Sequence, residues 1–331
     1  MVKVIVCLDW TPNTNHAGFY VAAKEGLYEK AGLDVELRSA DADQTQKLTP
    51  ARQVAAGLAQ FAVTPSESAI SFSTTDQEVP RLVAVATLLQ GSASAICTLK
   101  SSGIDRPALL AGKRYASYDG RFEDPIVAQM VRNDGGDGAA VQFHSLDAHA
   151  YADPDTMGAG SVVASYLEKG RSDSTWIFPA WEGVLAQRAG QELNLFDLED
   201  HAIPYGYSPI LLAHSEMLVG DNSGRTRAFL AATAAGFKKA AADPKFAAAA
   251  LCECAHPSLA DQAFVEASAS AIASKYLTPD GEWGSMEASR WGAFVDFLSS
   301  AGILVDRQKR PIPRDTVDAA SLFTNDFLPV S

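Results

Sequence analysis

Short apolar runs rich in β-branched residues alternate along this chain with helix-patterned segments, and the alternation runs through twice. In the first series Val2 to Leu8, "LDVELRS", "QFAVT" and "RLVAVATLL" read as strands. Helices are predicted at Ala17 to Lys30, with Gly32 as the stop signal, near Pro50 to Gly57, and from Ser66. The second series follows "SGIDRPALLAGK". Its strands are "KRYASY", "AVQFHS" and "STWIF", and its helices fall near Glu123 to Asn133, near Gly160 to Lys169 and from Trp181. Continuous apolar strands separated by helices predict parallel sheets covered on both faces, the α/β class. "DLEDHAIPYGYSPILLAHSEML" reads as a crossing back to the first series, and the remainder as helical: Arg225 to Cys254, Ala260 to Tyr276 and Met286 to Ala301. The expected plan is therefore a first lobe from residues 1–92 and 204–331, with a second lobe inserted at 93–203. Two lobes joined by two hinge crossings leave a cleft and favour ligand capture by closure.

Composition narrows the partners. A chain of 331 residues, 47% apolar, exceeds one domain of roughly 100–200 residues and can bury a large core. Its net charge of −13 argues against a nucleic-acid groove and an anionic membrane surface, so the partner it fits is small or neutral. No run reaches the ~18 apolar residues of a membrane span. The first residues enter a strand without a basic segment, an apolar stretch and a cleavage site, so as written the chain reads as cytoplasmic. A leader replaced by Met would look the same and would place the chain in the periplasm or outside the cell. Cys7, Cys97, Cys252 and Cys254 are too scattered for a disulfide framework, and no zinc spacing accompanies them.

Polar clusters recur where strands end. After the first strand come Asp9, Trp10, Asn13, Asn15 and His16; after the third come Thr64, Ser66, Glu67 and Ser68 at a helix start. In the second series "SYDGRFEDP" carries Tyr118, Arg121, Glu123 and Asp124, and "TWIFPAWEG" carries Trp176, Trp181 and Glu182. Ligands of open α/β sheets sit beyond the carboxyl ends of strands, which makes these clusters candidate ligand contacts. Each also has a structural reading: Asn and Asp favour turns, Ser and Glu favour helix starts, and each Trp suits a core. The chemistry on offer is aromatic faces, amides and carboxylates. "NDGGDGAA" follows a helix instead of opening one, and no nucleophile elbow, His-Glu-x-x-His or Walker lysine occurs, so no catalytic residue, cofactor or metal is assigned.

"LDWTPNTNHAGFYVAAKEGLYEKAGLDVEL" resembles the start of substrate-binding proteins of the thiamine-pyrimidine group. That group includes the binding component of a formylaminopyrimidine salvage ABC transporter and the yeast-type pyrimidine synthase. "FAVTPSESAIS", "SSGIDRPALLAGKRYASY", "FEDPIVAQMVRNDGG", "TWIFPAWEG" and "IPYGYSPILLA" are similar in the same order, over residues 2–213. The resemblance implies a two-lobe periplasmic-binding-protein fold of type II that captures a thiamine-related pyrimidine precursor and hands it to an ABC permease. It carries ring-holding roles onto Asp9, Trp10, Asn13, His16 and Glu182, with Trp176 and Trp181 beside them. A synthase is the alternative, as is a binder of another planar solute such as riboflavin. Where the synthase has its pyridoxal-phosphate lysine and donor histidine, this chain has Thr64 and Ser68, which can supply neither an amine nor an imidazole.

Overall fold

The computed structural model describes residues 1–42, 48–74, 81–146, 163–306 and 308–329. The chain packs into two compact units: Met1–Gly91, Tyr207–Gly292 and Asp315–Ser331 in one, Ser92–Gly206 and Ala293–Arg314 in the other.

In the first unit the opening run forms β1 (Val2–Cys7), followed by α1 (Ala17–Lys24) and α2 (Leu27–Lys30). The single helix expected over Ala17 to Lys30 is divided because Gly26 adopts φ +64, a left-handed conformation that glycine takes without the Cβ penalty. Next come β2 (Leu33–Arg38), α3 (Pro50–Ala55), β3 (Phe61–Thr64), α4 (Ser66–Ser73) and β4 (Leu82–Thr87).

The second unit holds β5 (Ala95–Leu99), β6 (Arg114–Ser117), α5 (Glu123–Asn133), β7 (Gln142–Ser145), β8 (Ser174–Ile177) and β9 (Leu193–Asp197). Of the helix expected near Gly160 to Lys169, Val163–Glu168 is helical, and the predicted start lies outside the described residues. The chain then returns to the first unit as β10 (Ile210–His214).

Neither sheet is purely parallel, which corrects the expectation from the strand pattern. In the first, ordered β2-β1-β3-β10-β4, β1 is parallel to β2 and β3, while β10 runs antiparallel between β3 and β4. In the second, ordered β7-β6-β8-β5-β9, β6 is parallel to β7 and β8, while β5 is antiparallel to β8 and β9. A returning strand with Ile210, Leu211, Leu212 and Ala213 all buried suits a central position, and strand composition carries no direction.

The helical remainder divides with its side chains. The helix Gly220–Ala242 ends at Asp243, whose carboxylate caps Phe246 N, and Pro244 opens the helix Pro244–Cys252. Phe229 on the long helix stacks on Phe61 of β3 at 4.4 Å between ring centroids, so the helix covers the sheet of its own unit. The sequence reading gave residues 204–331 to the first lobe, whereas Ala293–Arg314 packs with the second unit. Phe294 lies edge-on to Tyr205 at 5.0 Å, and Arg121 donates to Val305 O.

Candidate functional site

The first unit places its candidate residues at the carboxyl ends of two neighbouring strands. The register Val6↔Phe61 and Cys7↔Ala62 makes β1 and β3 neighbours, so the turn after β1 and the segment after β3 leave the sheet at the same edge. Beyond β1 the chain cannot extend its ladder, because Pro12 has no N–H and Asn13 folds the backbone over its own side chain. Asn13 Oδ1 accepts from Asn15 N at 2.9 Å, Asn13 Nδ2 donates to Thr11 O at 3.0 Å, and Asn13 N donates to His16 Nδ1 at 3.3 Å. This reciprocal cap starts a short helical turn, Thr14–His16, that leads into α1.

Later elements of the same unit hold the turn from behind. Tyr276 OH donates to Thr14 O at 2.6 Å, Thr14 Oγ1 meets Ser268 Oγ at 2.7 Å, and Ser258 Oγ donates to Pro12 O at 2.9 Å. His256 accepts from Ser258 N through Nδ1 and meets Asp41 Oδ2 through Nε2 at 2.9 Å. Burial works to raise the Asp41 carboxyl, but hydrogen bonds from Ser39 and His256 hold it below its ordinary range.

What remains uncommitted defines the chemistry on offer. Asp9 Oδ1 takes His16 Nε2 at 2.7 Å, leaving Oδ2 without a hydrogen-bond partner among the described residues, on a side chain that is 24% exposed. Asn15 is buried, and its side-chain amide has no hydrogen-bond partner among the described residues. Thr11 Oγ1, Thr64 Oγ1 and Ser66 Oγ are closed off from solvent and have no partner among the described residues. Leaving such a group unsatisfied costs about 1–3 kcal/mol, so a cluster of them at adjoining strand ends calls for a ligand or ordered water. Thr11 was not among the residues singled out in that cluster. The turn's unusual density of hydrogen-bonding residues was the available signal. Of the residues that were predicted, Asn13 and His16 point inward to the turn, while Trp10 in the turn and Glu67 at the start of α4 are half-buried.

The second unit brings its two clusters side by side, since β6 and β8 are parallel neighbours with Ala116↔Thr175 in register. Glu123, at the start of α5, is buried and turned to its own loop. Its carboxylate takes Tyr115 OH at 2.9 Å and the backbone N–H groups of Tyr118 and Gly120 at 3.1 Å. Desolvation pushes this carboxyl up to about 7 despite those donors. Ser117 Oγ donates to Asp124 Oδ1 at 2.6 Å, and Arg121 lies over the Phe122 ring. The loop is thus tied mainly to itself, with half-buried Tyr118 packed on the core cluster of Cys97, Ala116 and Ile177.

After β8 the chain turns through Pro179–Gly183 in a π-helical coil that carries Trp181 and Glu182, and Trp176 packs against Tyr205 at 5.3 Å. Glu182 Oε2 accepts from Phe178 N at 2.9 Å, and the carboxylate is also turned to the backbone N–H of Glu182 itself. Glu182 keeps some open surface, yet burial pushes its carboxyl up to about 7. Among the described residues no group of three or more His, Cys, Asp or Glu is placed to hold a metal, and no helix is long and apolar enough to cross a membrane.

Two mixed α/β sheets, each presenting polar groups where parallel strands end, define the class: a periplasmic-binding-protein fold. The alkanesulfonate-binding protein SsuA of Xanthomonas axonopodis pv. citri, solved with MOPS bound, superposes with a TM-score of 0.65 over 98% of both chains at 11% identity. The periplasmic aliphatic sulphonate binding protein SsuA of Escherichia coli gives 0.60 over 95% of this chain and 92% of its own, at 14% identity. Residues 13–247 match the NMT1/THI5 like family, and the chain belongs to it. Among its relatives is the formylaminopyrimidine-binding protein of Halalkalibacterium halodurans, 25% identical over 301 residues, which cover 90% of this chain and 84% of the relative.

Proposed function

We propose that this chain is a solute-binding protein for a thiamine-related pyrimidine precursor that works with an ABC permease. The observation that carries the reading is the uncommitted set in the first unit: one carboxylate oxygen of Asp9, the Asn15 amide and the hydroxyls of Thr11, Thr64 and Ser66. An aminopyrimidine offers what such a set lacks, an amino group to donate to Asp9 and ring nitrogens to accept from an amide or hydroxyl. In the second unit Glu182 offers a further acceptor, and Trp176 and Trp181 offer flat faces for a heteroaromatic ring. The similarity to a formylaminopyrimidine-binding protein supports the same ligand class. Thr64 and Ser68 supply no amine or imidazole, so nothing at β3 favours the synthase alternative.

The test is direct. Protein purified without added ligand is denatured and the released small molecules are identified by mass spectrometry, and stripped protein is then titrated calorimetrically with 4-amino-5-hydroxymethyl-2-methylpyrimidine. Binding of the pyrimidine supports the reading. Release of a riboflavin-type or sulfonate ligand, with no heat from the pyrimidine, would overturn it.

A further inference from the structure

His16 is buried beneath the opening turn and makes two hydrogen bonds with different partners. Its Nδ1 accepts from Asn13 N at 3.3 Å, which requires that nitrogen to be unprotonated. The ring proton then resides on Nε2 and is directed at Asp9 Oδ1, 2.7 Å away. Asn13 N–H therefore sets the tautomer, and the tautomer makes Nε2 the donor that holds one oxygen of Asp9.

We propose that His16 is a positioning residue for ligand recognition: by donating Nε2–H to Asp9 Oδ1 it fixes the carboxylate so that Oδ2 is presented as an acceptor, while the ligand itself touches Asp9 and Asn15. The proposal rests on the aminopyrimidine reading for the identity of the group that Oδ2 receives. It divides the turn into two kinds of residue. Asn13 and His16 have both their polar ends engaged within residues 9–16 and shape the turn. Asp9 Oδ2 and the Asn15 amide have no hydrogen-bond partner among the described residues, and they select for an edge that combines a donor with an acceptor. A carboxylate on a strand-end turn has two free torsions. Fixing it before the ligand arrives removes that ordering cost from binding.

Two substitutions separate this role from a purely structural one, because each keeps one of the two bonds. Asparagine places an oxygen close to the position of Nδ1, so His16→Asn retains the acceptor for Asn13 N–H and loses the donor to Asp9. Glutamine reaches as far as Nε2, so His16→Gln retains a donor to Asp9 and loses the acceptor for Asn13. Calorimetric titration with 4-amino-5-hydroxymethyl-2-methylpyrimidine should show affinity reduced about tenfold in His16→Asn and held within about threefold of wild type in His16→Gln. In a double-mutant cycle, His16→Asn should cost little further on top of Asp9→Asn. The reverse order of the two variants, or additive losses with Asp9→Asn, would overturn the proposal.

A ¹⁵N spectrum of ligand-free protein provides the second reading, with the Nε2–H tautomer expected for His16. If wild type binds no pyrimidine, the proposed function falls and the spectrum alone judges the pair: Nε2–H upholds the His16–Asp9 arrangement, and Nδ1–H overturns it.

Discussion

On the proposed function, Thr64 and Glu182 are side chains whose burial costs the empty fold and whose polar groups would serve the ligand. Thr64→Val replaces a hydroxyl that lacks a partner among the described residues by a methyl of nearly the same shape. Melting of the ligand-free variant should be unchanged or raised, by up to about 1 kcal/mol, because an unsatisfied buried polar atom is removed. Its affinity for the pyrimidine should fall about five- to tenfold, and calorimetry beside thermal melts reads both effects. A lowered melt with intact affinity would give the hydroxyl a structural role instead. For Glu182, with its carboxyl near 7, the charged acceptor predominates at pH 8 and the protonated form below pH 6. Charge-assisted hydrogen bonds contribute about 1.5–3 kcal/mol, so Glu182→Gln should weaken binding by roughly one to two powers of ten at pH 8. The gap between wild type and variant should narrow below pH 6. Taking the difference at each pH cancels the ligand's own titration, and a constant gap would count against Glu182 as the acceptor.

At the scale of elements, the opening turn depends on how closely α1 lies against the helix Gly220–Ala242. A Cβ on Gly236 would stand 2.1 Å from Gly18 O, and one on Gly18 would meet the Phe237 ring at 2.1 Å. The obstacle at Gly236 is backbone and cannot rotate away, so Gly236→Ala must push α1 off the long helix. Overpacking of this kind costs about 1–3 kcal/mol. Since α1 begins at Ala17, directly after the turn, the variant should lose affinity as well as melting temperature. Unaltered melting would show that the two helices can part without strain. In the second unit the β6–α5 loop is the counterpart: Glu123 closes it through Tyr115 OH and two backbone N–H groups, so a residue that reads as a ligand contact acts as the loop's own anchor.

Over the whole molecule, the buried carboxyls set the sign of the stability–pH curve. Glu123 and Glu182 have folded values near 7, above the ordinary value near 4.5, so the folded state binds more protons between those limits. Their contribution is fully present below about 4.5 and is lost as pH rises through about 7. Asp41, Glu36 and Asp134 are held below their ordinary range, so their contribution is present above about 4 and is lost as pH falls through their folded values. Urea unfolding should therefore show greater stability near pH 5 than at pH 8. The net charge of −13 adds self-repulsion of the same sign at high pH. Added salt should reduce that part and leave the part that Glu182→Gln removes. A curve that rises steadily from pH 5 to pH 8 would contradict the assignment.

The sequence by itself determined the class of fold, because strand and helix periodicities are written within a few residues of one another. β-branched runs such as Val2–Cys7 and Leu82–Thr87 form strands as read, and polar clusters follow β1, β3, β6 and β8 as expected. Local pattern also identified the turn at Asp9–His16 as chemically dense. Tertiary structure alone decided which of those groups is engaged. Asn13 and His16 bond within the turn, and among the described residues Asp9 Oδ2 and the hydroxyls of Thr11, Thr64 and Ser66 lack partners that no spacing could have supplied or denied them. The antiparallel entry of β10 between β3 and β4, and the packing of Ala293–Arg314 with the second unit, have the same origin. A propensity belongs to a segment, whereas a sheet neighbour and a strand direction exist only once segments distant in the chain meet, and even the short-range bonds of Asn13, His16 and Asp9 depend on the folded geometry of the turn.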